Sequence, residues 1–455
     1  MRRTSVLLLV FLLAACGGNG SSPPAPARVA GEPGDLAQSS VDENLAKFIA
    51  EIKAVDNHTH VNTIDPDDEG SDALPLHLLL PFEIPVRLRE TSPDWLAAYR
   101  ALYDFPYSEL DDKNMQELMG TMERVVMERG EMFPEWALDK IGIEVMLANR
   151  LSMGPGLSAP RFRWVSYVDA LLLPLSTEAE ETASPDRAKL FPVLAQQLEG
   201  HMADLEIEEI PATLDEYLTN IVTPTLEAQK NGGCIGVKFE VGFLRSLDFD
   251  DISVEIASKV YARYAKSGVP SHTEFKQITD FLFRYIAREA GRLEMAVHIH
   301  SFNGPGGFYR AADSDPIHLE PVFNDVTLRA TNFVLIHGGG VYANHTQAML
   351  WKPNVYVDIS ALTRLWTPAQ LAAVLKNWLR TYPEKVLFGT DASSFGPGLG
   401  WELGAWIATT TGRQALTMAL TDMLRNEEVS RARAEEIATM VMRANAANLY
   451  NLGIE

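Results

Sequence analysis

Short apolar runs recur along the chain at positions that predict eight buried strands. The runs are rich in Val, Ile, Leu and Phe, as strands covered on both faces are. Stretches with apolar residues at helical spacing separate most of them. The runs start near residues 54, 143, 162, 234, 294, 332, 354 and 386. This alternation predicts parallel βαβ units.

Eight such units predict an α/β fold, a (β/α)8 TIM barrel with catalytic residues at the C-terminal ends of its strands. Long helical insertions are expected after strands 1 and 3, at about 64–142 and 176–230. A doubly wound open sheet is the structural alternative. No GxGxxG follows the first strand and no GxxxxGK[ST] occurs in the chain, so nucleotide-binding versions of that sheet lose support.

The N-terminus has the pattern of a bacterial export signal. Two arginines precede an unbroken apolar run, Val6 to Ala15, which is too short to span a bilayer as a helix. The run ends in Leu-Ala-Ala-Cys16, which resembles the lipobox of bacterial lipoproteins. The resemblance implies a signal peptide in residues 1–16, cleaved before Cys16, and a lipid on that cysteine. A plain secreted protein with an incidental cysteine is the alternative.

The next segment differs in composition from the rest of the chain. Residues 17–40 are rich in Gly, Ser, Pro and Ala, which predicts a flexible tether between the anchor and a domain at 41–455. Cys16 and Cys234 are the two cysteines, and with the first lipidated no intrachain disulfide is expected. We expect a lipid-anchored protein of the bacterial cell envelope. Gly17 is not the aspartate associated with inner-membrane retention, which favours the outer membrane and its periplasmic face.

The charge balance limits the classes of partner. A formal net charge of −22 argues against nucleic acid and against binding to an anionic membrane surface. Contact with a membrane is therefore expected only through the lipid on Cys16. A small molecule remains as the expected partner, and 46% hydrophobic residues are enough for a globular domain that binds one.

Polar side chains interrupt the apolar runs near the C-terminal ends of several predicted strands. In a barrel these groups converge on one mouth. They are His58 and His60 on strand 1, Lys238 on strand 4, His298 and His300 on strand 5, His337 on strand 6 and Asp391 on strand 8. Neutral imidazoles together with a carboxylate suit Zn²⁺ or Mn²⁺.

The order of these residues resembles the amidohydrolase superfamily, and in particular its branch called amidohydrolase 2, a group of TIM-barrel metal-dependent hydrolases. The resemblance covers about 41–455. The segments that carry it are VDNHTH, GVKFEVGFLRSLDF, VHIHS, VLIHGGG, VYVDISAL, VLFGTDAS and the terminal NAANLYNL. It implies a divalent metal, with zinc expected and manganese as the alternative, and it makes a homodimer an open option.

The resemblance and the chemistry together assign roles. His58, His60 and Asp391 would hold the deeper metal, while His300 and His337 would hold a second metal or orient substrate if one ion binds. A bound metal lowers the pKa of its water toward about 7. Asp391 would take the proton of that water and deliver it to the leaving group.

Lys238 has two open interpretations. A buried ammonium on a barrel strand is costly unless it is paired or deprotonated. A deprotonated lysine can add CO₂, and the resulting carbamate would bridge two metals. Otherwise the ammonium pairs with Glu240 or Asp391, or binds a substrate carboxylate.

Four further residues are candidates for substrate contact. They are Arg245, Tyr309, Arg310 and Arg364, which lie in loops after strands 4, 5 and 7. Arginine makes bidentate contacts with carboxylates and phosphates. The alternative for each is a surface salt bridge or loop packing.

The expected function is hydrolysis of a C–N bond, in an amide or cyclic amide, or of an ester, by a metal-activated water. A metal-dependent decarboxylase or hydratase of the same branch is the first alternative. A non-catalytic lipoprotein that uses the barrel as a binding module is the second.

Overall fold

The computed structural model describes most of the chain after the tether. The N-terminal unit, residues 1–40, contains the expected signal peptide, lipobox and tether, and lies outside the described residues. The described residues are 41–65, 68, 70–79, 84–90, 92–396 and 398–454. Within these ranges, none of the helices combines the length and the apolar character needed to cross a membrane.

The strands form one parallel sheet whose order follows the sequence. Across the described residues the sheet has eight strands, ordered β1 to β8. They are β1 Ala54–Thr59, β2 Ile143–Arg150, β3 Phe162–Tyr167, β4 Cys234–Phe239, β5 Ala296–His300, β6 Phe333–Ile336, β7 Val355–Asp358 and β8 Val386–Leu387. The predicted (β/α)8 barrel is confirmed.

Backbone hydrogen bonds join β1 and the residue after it to the segment that follows β8. The amide of Asn57 donates to the carbonyl of Phe388 at 2.9 Å, and the amide of Asp391 donates to the carbonyl of His58 at 2.8 Å. The amide of His60 donates to the carbonyl of Ala392 at 2.7 Å. Closure therefore runs through the segments that carry His58, His60 and Asp391.

Helices surround the barrel and also form most of the insertions after β1 and β3. They are α1 Glu43–Glu51, α2 Pro93–Tyr103, α3 Asp112–Arg129, α4 Phe133–Ile141, α5 Glu178–Ala183, α6 Arg187–Asp204, α7 Leu214–Tyr217, α8 Thr223–Asn231, α9 Val254–Tyr264, α10 His272–Arg292, α11 Glu320–Phe323, α12 Ala343–Met349, α13 Leu362–Leu365, α14 Pro368–Leu379, α15 Trp401–Arg425, α16 Arg431–Thr439 and α17 Asn445–Leu449. Amphipathic α10 begins at a capping box, in which Ser271 accepts from the amide of Glu274 and the Glu274 side chain accepts from the amide of Ser271.

The insertion after β1 is helical only in its second part. Helices α2 to α4 occupy 93–141, whereas the described residues of 61–92 are irregular apart from short 3₁₀ turns at Leu76–Leu79 and Val86–Leu88. The insertion is thus mostly helical, as predicted, although this first part is not. The segment is rich in Asp, Gly and Pro, which favour turns over helix. The insertion after β3 is helical, as predicted, with α5 to α8.

Apolar side chains pack on both faces of the sheet. One buried cluster lies inside the barrel and includes Val55, Leu147, Ile336 and Tyr450. A larger cluster, which includes Ala54, Met146 and Leu335, lies between the strands and the helices. Alternate residues of a strand thus enter different clusters, as the period of two requires.

Candidate metal site

Three imidazoles surround one carboxylate at the C-terminal end of the barrel. Oδ1 of Asp391 lies 3.3 Å from Nε2 of His58 and 3.4 Å from Nε2 of His60. One ligand atom from each of His58, His337 and Asp391 lies within 4.8 Å of the others. The His337 ring centroid is 5.0 Å from that of His58. The structure thus brings four of the predicted ligands to one point.

Irregularities in two strands turn the site residues inward. Asp56 pairs with Met146 and Thr59 pairs with Ala148, so β1 advances by three residues where β2 advances by two. The register also shifts in β4, between Cys234 and Gly236. Val55 already faces the interior, so strict alternation would send His58 to the outer side. Such β-bulges place one extra residue in a strand, change the direction of its side chains and occur often beside active sites.

The backbone at His337 and Asp391 is in the left-handed region, with φ of 69° and 57°. Ile336 faces the interior, so a regular strand would send His337 outward, and its positive φ reverses that direction. Gly338 continues the turn with φ of 59°, and a Cβ there would lie 2.5 Å from the Trp378 side chain. Strained residues held by their surroundings are common at functional sites.

Hydrogen bonds outside the cluster fix the orientation of two ligand rings. Nδ1 of His337 lies 2.9 Å from Oγ of Ser360, which donates to Oδ1 of Asp358 at 2.7 Å. Nδ1 of His60 lies 3.0 Å from the carbonyl oxygen of Ser71. These contacts leave Nε2 of both rings free to bind a metal, which is the usual arrangement for metal-ligating histidines.

The electrostatics suit a cation. Burial lowers the pKa of His58 and His300 well below the usual range, and lowers the pKa of His337 to about 3. Burial opposes ionisation of Asp391, but the Arg364 guanidinium holds the pKa of that carboxyl well below its usual range. Neutral imidazoles and an ionised carboxylate are the donor set of Zn²⁺ and similar ions. The residues present therefore fit a divalent metal.

Lys238 lies at the edge of this cluster and is completely buried. Its Nζ is 3.5 Å from Nε2 of His58 and 3.7 Å from Oε1 of Glu240. It also lies 5.9 Å from the centre of the Tyr167 ring. Glu240, one of the partners expected from the sequence, thus lies within ion-pair distance of Lys238.

The two histidines of β5 differ in their surroundings. Nε2 of His300 lies 2.7 Å from the carbonyl oxygen of Phe302, so only Nδ1 of that ring is available as a ligand. The ring centroid is 4.8 Å from that of His337. Nε2 of His298 instead lies 2.6 Å from the hydroxyl of Tyr450, in the interior cluster.

Arg364 contacts the predicted catalytic carboxylate. Its Nη2 donates to Oδ2 of Asp391, and its Nη1 donates to Oγ of Ser393 at 3.1 Å. The side chain is buried, and its guanidinium lies 5.2 Å from the centre of the Phe395 ring. The guanidinium therefore holds Asp391, and contact of Arg364 with substrate stays a prediction.

Arg245 is also engaged within the fold, and its role in substrate binding stays a prediction. It is buried, with Nη1 2.7 Å from Oδ1 of Asp280 on α10, and its guanidinium lies 4.5 Å from the centre of the Phe249 ring. No sequence pattern indicates this partner, which lies on a helix 35 positions further along the chain. The guanidinium ties the loop after β4 to α10.

Tyr309 and Arg310 lie in the loop after β5. The hydroxyl of Tyr309 donates to the carbonyl of Phe302 at 2.9 Å, the same carbonyl that His300 contacts. Tyr309 therefore braces this loop beside the site. Arg310 is 75% exposed and lies 3.8 Å from Asp313, so it is a surface residue at the rim.

Acidic residues lie beside the site, and two of them, Asp72 and Asp169, were not predicted from the sequence. Ligand atoms of His60, Asp72 and Glu240 lie within 4.8 Å of one another. Asp169 accepts from the amide of Glu240 at 2.9 Å, and burial raises the pKa of Asp169 to about 7. Asp72 belongs to the irregular insertion after β1, where no periodic pattern indicates which side chain returns to the barrel.

Comparisons with known proteins agree with this fold and site. Residues 241–452 match the family model Amidohydrolase. A comparison with curated protein sequences gives no significant match.

Several solved structures share the fold. A protein assigned as a metal-dependent hydrolase from Lactobacillus casei ATCC 334 is 15% identical, with a TM-score of 0.59 over 90% of this chain and 98% of that one. Uronate isomerase from Thermotoga maritima is 13% identical, with a TM-score of 0.53 over 90% of this chain and 98% of that one. Glucuronate isomerase from Caulobacter crescentus is 12% identical, with a TM-score of 0.57 over 93% of this chain and 96% of that one.

The solved structures and the family model give different information. At such identities the solved structures establish the fold alone, whereas the family model matches the part of the chain that contains His300, His337 and Asp391. The family match over residues 241–452, the barrel and the His–Asp cluster agree with the resemblance to the amidohydrolase superfamily.

Proposed function

We propose that this protein is a metal-dependent hydrolase of a C–N or ester bond. The observation that carries the proposal is the position of Asp391, whose Oδ1 faces Nε2 of both His58 and His60 at 3.3 and 3.4 Å. A binding-only barrel has no need for a buried carboxylate aimed at neutral imidazoles. The non-catalytic alternative therefore has the weaker support.

The residues around Asp391 define what it does in the reaction. A divalent metal, when bound, supplies a polarised carbonyl and a water of lowered pKa. His58, His60, His337 and Asp391 would hold that ion. Asp391 accepts the proton of the attacking water at its carboxylate and passes it to the leaving group. Arg364 fixes Oδ2 and keeps the carboxyl acidic, so the protonated form gives up its proton readily to an amine or alkoxide.

Two contacts favour one ion over two. Nε2 of His300 is held by the Phe302 carbonyl, and the ammonium of Lys238 lies 3.7 Å from Glu240. A carbamate on Lys238 would remove this ammonium from beside Glu240. We therefore propose a single ion, zinc in the first place and manganese in the second, with Lys238 uncarboxylated.

Decarboxylation, hydration or isomerisation of an acid is the second candidate. It is favoured by Lys238, whose ammonium lies 3.5 Å from His58 and would attract a substrate carboxylate. Two of the structures that share the fold are uronate isomerases by name.

Turnover by the metal-free and reloaded chain separates these functions. The chain is stripped with chelator, reloaded with zinc or manganese, and assayed against amides, cyclic amides, esters and hydroxy or keto acids. The proposal predicts metal-dependent cleavage of an amide or ester. Metal-dependent conversion of acids alone would support the second candidate.

We also propose that Cys16 is lipidated and anchors the protein in the cell envelope. The support is the signal pattern with its Leu-Ala-Ala-Cys ending. Expression of Cys16→Ser in a bacterial host should move the protein from the detergent phase to the aqueous phase. Equal partition of both forms would contradict the proposal.

A further inference from the structure

Two carboxylates lie side by side next to the proposed metal ligands. Asp72 comes from the insertion after β1, and Glu240 follows directly after β4. Their oxygens and a ring nitrogen of His60 lie within 4.8 Å of one another. We call Asp72 and Glu240 the acidic pair.

The inner member of the pair has an unused acceptor. Glu240 is only 2% exposed, and its Oε2 has no hydrogen-bond partner among the described residues. Its nearest cation, Nζ of Lys238, lies 3.7 Å from the other oxygen, which is beyond hydrogen-bond distance. A buried carboxylate oxygen without a donor is costly, so the site favours a ligand that brings one.

His60 does not complete a second metal site. Its Nδ1 lies 3.0 Å from the Ser71 carbonyl and therefore carries the proton, which leaves the lone pair on Nε2, beside Asp391. The acidic pair alone then offers two carboxylates. Hard divalent ions take six or more oxygen ligands, whereas an ammonium needs only a few acceptors around its N–H groups.

The pair is open to ligand on one side. The Asp72 side chain is 33% exposed, whereas Glu240 is buried below it. The loop that carries Asp72 is held by Asp68, whose Oδ1 is 2.6 Å from Nη2 of Arg150 on β2. Asp72 therefore stands at a fixed place on the rim, beside the proposed metal.

Arg245 and Arg364, two of the arginines predicted to contact substrate, are engaged with intrachain carboxylates. We propose that the acidic pair binds a cationic group of the substrate, an ammonium close to the bond that is cleaved. This inference rests on the proposed hydrolase and names its substrate class.

Three small hydroxamates test the proposal by isothermal titration of the zinc-loaded full chain. Each binds a metal through its hydroxamate, and they differ in one terminal group. Glycine hydroxamate carries an ammonium, propionohydroxamate has a methyl at the same position, and malonic monohydroxamate carries a carboxylate. Glycine hydroxamate should bind about tenfold or more tighter than propionohydroxamate, because a charge-assisted hydrogen bond is worth that much.

Variants test whether the acidic pair causes the preference for glycine hydroxamate over propionohydroxamate. Asp72→Asn, at an exposed position, should bring the affinity ratio of glycine to propionohydroxamate close to one, and Glu240→Gln should do the same. Asp313→Asn makes the matched change on the loop after β5 and should keep the wild-type ratio. Equal loss of preference in Asp313→Asn would overturn the assignment to Asp72 and Glu240.

The remaining outcomes are distinct. If propionohydroxamate binds but glycine hydroxamate binds no better, or if malonic monohydroxamate binds best, the cation site is refuted while the metal site stands. If none binds to the zinc-loaded chain, the proposed function itself fails. A second divalent ion per wild-type chain that disappears in Asp72→Asn would show that the pair holds a metal, and would also refute the ammonium.

Discussion

Arg364 and Asp391 form a buried ion pair in which Nη2 of the guanidinium donates to Oδ2 of the carboxylate. The opposite oxygen, Oδ1, faces Nε2 of His58 and His60. The pairing explains how a carboxylate can stay ionised at a buried position among three imidazoles. One carboxylate oxygen, Oδ2, thus holds the side chain in place, while the other, Oδ1, faces the ligand cluster.

Loss of this pair should weaken metal binding and turnover. In Arg364→Ala, Asp391 loses its fixed orientation, so we expect the metal dissociation constant to rise about 10–100-fold. Competition with a fluorescent zinc chelator measures that constant. Arg364→Lys, which keeps the charge but not the forked geometry, should fall between wild type and Arg364→Ala. Unchanged affinity in both variants would remove Arg364 from the account.

Ser360 should act on the metal through His337. Its hydroxyl lies 2.9 Å from Nδ1 of that ring, so Ser360→Ala leaves the ring without its anchor. We expect zinc affinity to fall about tenfold or more, with the metal-free protein losing about 1 kcal/mol of stability. Ser301→Ala is the matched control. That buried hydroxyl donates to the Ile336 carbonyl at 2.8 Å rather than to a ligand ring, so the variant should lose stability alone.

Arg245 and Arg310 should differ in their effect on stability. Arg245→Ala leaves Asp280 with Lys276, 2.6 Å from its Oδ2, as the remaining cation, and we expect a loss of about 1.5–3 kcal/mol in the free energy of unfolding. Arg310 is 75% exposed, and Arg310→Ala should change that free energy by less than about 0.5 kcal/mol. Urea unfolding measures both. A stable Arg245→Ala with weakened substrate binding would support the role first predicted for this residue.

Asp68 should contribute to the acid sensitivity of the fold. Burial alone would raise the pKa of Asp68, but hydrogen bonds from Arg150 and from backbone amides lower it to about 2. A carboxyl whose pKa is lower in the folded than in the unfolded state stabilises above the unfolded value of about 3.9. That stabilisation is lost as pH falls from about 4 to about 2. Asp68→Asn should therefore flatten the fall of the urea midpoint between pH 5 and pH 3, and an equally steep fall would contradict this.

The fold could be predicted because each buried strand is marked by a short apolar run in the sequence. Buried parallel strands must be short and apolar, so the predicted starts lie within two or so residues of the observed ones, with β5 beginning at Ala296 rather than near 294. The insertion after β1 is mostly helical, as predicted, but its first part is not, because the Asp, Gly and Pro residues of 61–92 favour turns.

The site could be predicted only in part, for a different reason. Alternation along β1 places His58 and His60 on one face, but the register shift that turns this face inward is a property of the pairing with β2. The positive φ of His337 likewise appears only in the folded chain. Partners distant in sequence, such as Asp280 for Arg245, leave no periodic trace.

Metal content per chain is the most direct measurement of the central claim. The full chain, purified without chelator and supplemented with zinc or manganese, would be compared by elemental analysis with the double variant His58→Ala, His60→Ala. Circular dichroism would show that the variant is folded. We predict one divalent ion per wild-type chain and none in the variant. A wild-type chain that holds no ion after supplementation with either metal would contradict the account.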